Sequence, residues 1–90
     1  MSVDPKVFEV VKRQLDRALA RQQRIQGRIS EYEAMMAEAV WENESHDVKH
    51  TICGIVQELE ERERELVAQI VGLQLDLFRL EAQVKADSKF

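Results

Sequence analysis

Apolar residues recur along this chain at alternating steps of three and four, and the beat is interrupted once. On the N-terminal side, Phe8, Leu15, Ile29 and Met36 keep a seven-residue phase, interleaved with Val11, Ala18, Ile25, Tyr32 and Ala39. On the C-terminal side, Ile52, Leu59, Leu66, Leu73 and Leu80 do the same, interleaved with Val56, Ile70, Leu77 and Val84. Steps of three and four return to one side of an α-helix and make a coiled-coil seam. Between the two runs, Glu42-Asn43-Glu44-Ser45-His46-Asp47 has no apolar residue and several turn-forming types. The pattern predicts an all-α antiparallel helical hairpin in a single domain, 1–90. Helix one covers about 5–41, the turn about 42–47 and helix two about 48–85.

The ends carry matching signals. Asp4 before Pro5 supplies a capping carboxylate and a proline at the first helical position. Ser45 or Asp47 is positioned to cap helix two, and the last residues, 86–90, are expected to fray. Gly27 lies inside helix one at a cost of about 1 kcal/mol relative to alanine, too little to end it. Gly54 and Gly72 lie off the seam, where they would permit close approach of another helix. A turn centred near Glu44 sets Phe8 against Leu80, Leu15 against Leu73, Ile29 against Leu59 and Met36 against Ile52. Gln22 and Glu63 are the two polar seam positions, of the kind that fixes register at some cost in stability.

Charge refines this picture. Lys12, Arg13, Arg17, Arg21, Arg24 and Arg28 make the middle of helix one basic, and Glu58, Glu60, Glu61, Glu63 and Glu65 make the middle of helix two acidic. A hairpin sets the two blocks side by side, which predicts ion pairs across the flanks of the seam. With a net charge of −4 and no aromatic residues among the arginines, nucleic acid is not expected as a partner. No apolar stretch approaches the roughly 20 residues of a membrane span, and no signal-peptide pattern opens the chain. One cysteine, Cys53, leaves no internal disulfide, so a cytoplasmic protein is expected.

Apolar residues exceed what one seam needs. Val67, Val71, Phe78 and Ala82, with Leu75 beside them, form a second stripe on helix two, while Val10, Leu19, Val40 and Trp41 lie off the seam on helix one. Such a stripe marks an interaction surface. Its cover would be a short extra helix, another protein, or a second copy that completes a three- or four-helix bundle. Candidate chemistry is sparse. His46 and His50 are four apart, as a helical metal pair would be, but no further ligands complete a site, and no metal or other cofactor is expected. No nucleophile–base pair or phosphate loop occurs, so no enzyme activity is expected.

Three local resemblances carry functional expectations. Residues Gln14 to Arg21 resemble the first helix of the chorismate-mutase fold, without that family's further arginine and lysine pattern. Asn43-Glu44-Ser45-His46-Asp47-Val48-Lys49 resembles the phosphoacceptor box of sensor histidine kinases, and Leu75 to Ala82 resembles the end of that family's second helix. That resemblance implies a dimeric phosphotransfer module with His46 as acceptor, although no ATP-binding domain follows. Asp4-Pro5-Lys6-Val7, Val10 to Arg13, Met36-Ala37-Glu38, Glu42-Asn43, His46 to Lys49, Ile55 to Glu58 and Leu75-Asp76-Leu77 occur in order across nearly the whole chain. This series resembles the tubulin-binding cofactor A family. The family's second helix has a proline interruption where this chain has Glu61-Arg62-Glu63-Arg64, and its third helix has no counterpart here. The resemblance implies a cytoplasmic, non-catalytic chaperone-like factor that holds β-tubulin during folding. Its partner-binding residues would be Tyr32, Trp41, His46 and the Arg21, Arg24 and Arg28 face. Val67, Val71 and Phe78 are added as the uncovered stripe. A structural coiled-coil subunit of a larger complex is the remaining alternative.

Overall fold

The computed structural model describes residues 4–88, and these form two long α-helices folded back on one another. Helix α1 spans Pro5–Ala37, a short 3-10 helix spans Ala39–Asn43, and helix α2 spans His46–Ser88. At about 1.5 Å per residue, α2 alone accounts for ~65 Å, close to the 70 Å long axis of the molecule, whose other two extents are 16 Å. The described residues include no strand.

The seam is where the heptads predict it. From Phe8 to Met36 every third or fourth residue of α1 is at least partly covered, and the same holds from Ile52 to Leu80 on α2. Among the described residues, Ala18, Val56, Leu59, Leu66 and Ile70 are the buried ones, and each keeps a small remnant of exposed surface. Ala18, Leu66 and Ile70 form the central cluster, with Leu15, Ile25 and Leu73 packed around it. The predicted pairing of Leu15 with Leu73 agrees with this cluster. Small Ala18 lets the larger aliphatics of α2 approach closely at mid-rod. Gln22 and Glu63 are half-covered in the seam, so the two polar positions stay within reach of water. At the open end the seam weakens: Val84 is 48% exposed.

Both helix starts are capped as the sequence suggests. The Lys6 amide donates to Asp4 Oδ1 at 2.9 Å. Of the two candidates for α2, Ser45 is the cap: its Oγ accepts from the Val48 amide at 3.2 Å. Asp47 instead sits in the first turn, where its charge complements the helix dipole.

The end of α1 differs from expectation. The helix stops at Ala37 rather than Trp41, because Glu38 is extended, with φ −70° and ψ 147°. Had the helix continued, the heptad phase would place Trp41 on the outward face, in water. The break lets the 3-10 turn carry Trp41 across the hairpin tip, where it is half-buried and shares a small cleft with Met35, Val40, Val48 and Ile52. Ala39, expected in the seam, is consequently exposed. The Lys49 ammonium donates to the Glu42 carbonyl at 3.1 Å, tying the turn to α2. At the other end α2 extends through Ser88, past the expected Lys85, and the fraying expected at residues 89 and 90 lies outside the described residues.

Within the chain, no helix packs closely on Gly54 or Gly72. Apart from the adjoining residues and the helix's own backbone, neither they nor Gly27 has an atom within 4 Å of where a Cβ would stand. No close helix approach within the chain therefore requires a glycine at these positions.

Candidate partner-binding surfaces

Two edges of the hairpin carry unlike chemistry, and the heptad decides which residue lies on which edge. On one edge of α1, Arg17, Arg21, Arg24 and Arg28 follow one another at steps of four, three and four. They therefore form a straight row beside the seam, about 16 Å long at the helical rise. The facing edge of α2 presents Arg62 and Gln69 at its innermost positions, with Glu65 farther out. A cavity of about 650 Å³ lies between them, lined by Arg21, Arg24, Ile25, Arg28, Arg62, Glu65, Leu66 and Gln69. It adjoins a second of about 480 Å³ that shares Arg21, Arg24, Leu66 and Gln69 and reaches Arg17, Gln14 and Ala18. Together they form one open groove with basic walls and an apolar floor of Ile25, Leu66 and Ala18.

The expected ion pairs across the seam are not formed. Among the described residues the one ion pair within 4.0 Å is Arg62 to Glu58, at 3.0 Å, and it lies within α2. The heptad explains this. The inner flanking positions of α2 on this edge are Ile55, Arg62, Gln69 and Asp76, so the first charge to meet the arginine row is another arginine. Glu60, Glu61 and Glu63 point to other faces, and only Glu58 and Glu65 share the edge, one step farther out. Both partners of the Arg62–Glu58 pair are more than 60% exposed, so it contributes at most ~0.5 kcal/mol. Arg17, Arg21, Arg24 and Arg28 have no ion-pair partner among the described residues.

The opposite edge is apolar. Val67, Val71, Leu75 and Phe78 lie within one narrow sector of α2 and are 39, 49, 52 and 70% exposed. Toward the open end this sector runs into a cleft lined by Pro5, Phe8, Glu9, Glu81, Val84 and Lys85. A run of large exposed side chains on a rod this thin is uncommon for a solvated face.

The remaining candidates do not join these surfaces. Tyr32 is half-buried in the seam, and Trp41 is half-buried at the hairpin tip. His46 is exposed at the first position of α2, its ring stacked on that of His50 with centroids 6.3 Å apart. Among the described residues no three His, Cys, Asp or Glu side chains are grouped to hold a metal ion. Cys53 is a free, exposed thiol. Among the described residues no helix is long and apolar enough to cross a membrane. Of the expected site residues, the structure brings Arg21, Arg24 and Arg28 together in one place and Val67, Val71 and Phe78 in another. Sequence reasoning missed Arg62 and Arg17 as members of the first group. Their heptad positions were the available signal, obscured by reading charge in blocks.

No family model, no curated protein and no solved structure matches this chain.

Proposed function

We propose that the protein is a non-catalytic binding factor whose arginine-walled groove receives an acidic segment of another polypeptide. The observation that supports this most is the row of guanidiniums left without carboxylate partners beside an apolar floor. A cationic row flanking a narrow apolar floor, of which Ile25 keeps part of its surface open, suits an acidic helix. Its carboxylates would meet the arginines, which bind carboxylates in paired geometry, while an apolar residue rests on the open part of Ile25. The named form of this reading, from the ordered residue resemblance, is a tubulin-folding cofactor that holds β-tubulin. Its test is co-elution of the protein with β-tubulin on size exclusion, repeated with Arg24→Glu/Arg28→Glu. A complex formed by the natural chain and lost in the double variant supports both the partner and the groove. Absence of co-elution removes the tubulin assignment, and a complex indifferent to the charge reversal removes the groove.

A second reading, histidine phosphotransfer, draws on the exposed imidazole of His46 with Asp47 beside it. It requires acid-labile phosphate on the natural chain after incubation with a cognate kinase and ATP, and none on His46→Gln. Label that persists in His46→Gln would exclude it. Service as a structural subunit of a larger coiled-coil complex uses the same surfaces and would appear as a stable stoichiometric assembly.

A further inference from the structure

The apolar sector of α2 is bounded by charges, and their order is informative. Read along the helix, the sector runs Glu60, Arg64, Val67, Val71, then Gln74 with Leu75, Phe78, Glu81 and Lys85. These positions are three or four residues apart and share one face over about 38 Å of helix. A two-fold axis between Gly72 and Leu73 maps this sequence onto itself with reversed charge. Arg64 falls opposite Glu81 and Glu60 opposite Lys85, while Val67 meets Phe78 and Val71 meets Gln74. Smaller valines thus oppose the large ring at each end of the apolar centre. Self-complementarity of this kind is what an isologous two-fold contact requires of a single surface.

We propose that a second copy of this chain covers the face, with the two α2 helices antiparallel about that axis and a four-helix bundle as the product. The charge order discriminates among arrangements. A parallel pairing in register would oppose Glu81 to Glu81 and Arg64 to Arg64, which repel. Antiparallel pairing turns each of these into an attractive pair, and each pair occurs twice by symmetry. The competing use of the same charges lies within one helix, since Glu60 and Arg64, and Glu81 and Lys85, are four apart. Glu60 and Arg64 lie beyond 4.0 Å of one another. Phe78 is 70% exposed in the single chain, so an association that covers it draws on surface the hairpin itself does not use. This face and the arginine groove lie on opposite edges of the hairpin and share no residue.

Sedimentation velocity under reducing conditions, up to about 100 µM chain, tests it. The natural chain is expected at twice the 10.5 kDa chain mass. Phe78→Asp is expected to be monomeric with unchanged helical circular dichroism, because the position is exposed in the monomer. Arg64→Glu alone raises the dimer dissociation constant on the order of tenfold, as does Glu81→Arg alone, and the double exchange Arg64→Glu/Glu81→Arg recovers most of the loss. Recovery is the decisive readout. Within one helix the double exchange places Glu60 near a new glutamate and Lys85 near a new arginine, so an intrahelical role predicts a further loss. A natural chain that stays monomeric overturns the proposal. So does a dimer indifferent to Phe78→Asp, or single exchanges that the double exchange fails to repair. Loss of tubulin binding with the dimer intact would bear on the groove alone.

Discussion

Leu59 is the most deeply buried large aliphatic side chain, at 4% exposure, and Leu59→Ala tests the seam most severely. Leucine-to-alanine changes in cores cost about 2–5 kcal/mol, the sum of lost transfer energy and the cavity left behind. Here the value belongs at the low end. Only two helices wall the site, so neighbouring side chains relax and water reaches the gap, which gives about 2–3 kcal/mol. A domain of this size is stabilised by roughly 5–13 kcal/mol in all, so the loss is a large fraction. With about 4–8 °C per kcal/mol for a chain of this length, the midpoint falls by roughly 10–20 °C. Val10→Ala is the matched control. Val10 is 49% exposed on α1 and lines neither candidate surface, and alanine is the better helix former, so its midpoint moves little. Thermal circular dichroism at low micromolar concentration, checked by urea titration, reads both. A Leu59→Ala midpoint within a few degrees of the natural chain, or a larger loss in Val10→Ala, would mean that the opposite face of the helices is inside.

Other expectations follow from single observations. Ser45→Ala removes the acceptor of the Val48 amide and costs about 0.5–1 kcal/mol, while Ser45→Asp retains the cap. Gly27→Ala, Gly54→Ala and Gly72→Ala together stabilise the chain by about 2–3 kcal/mol, because each added methyl meets open space and none of these glycines has positive φ; a lower midpoint for the triple variant would contradict the open geometry. Arg24→Glu/Arg28→Glu leaves the melting temperature within a few degrees, since neither arginine has an ion-pair partner among the described residues. A large loss would show that these charges hold the hairpin together.

Most of the architecture was legible because a narrow seam leaves a strict periodic record. Phe8, Leu15, Ile29 and Met36 could be assigned to one face before any coordinates, as could Leu59 and Leu66, since helical periodicity admits no other face for all of them. The end of α1 was not legible. No glycine or proline marks Glu38, and the break depends on partial cover for Trp41 that only the tip of the folded hairpin provides. The arginine groove was half legible. Block counting set arginines against glutamates and predicted ion pairs, whereas position within the heptad sets Arg21 and Arg28 beside Arg62. Long charged side chains on an exposed edge gain little by pairing, so nothing compels them to reach across. The apolar sector on α2 was fully legible as a stripe, because its spacing needs only one helix. What covers it depends on the order of its charges rather than on its hydrophobicity.

The fold-back itself is open to one direct measurement. Spin labels on Lys12→Cys and Gln74→Cys, in a Cys53→Ser background diluted with unlabelled chain, report the separation of two exposed positions on facing edges of α1 and α2. Adjacent helices with axes about 8–10 Å apart place the labels within about 20 Å of each other. A continuous rod through residues 38–45 would separate them by roughly 90 Å at the helical rise, and a distance distribution centred there would contradict the hairpin.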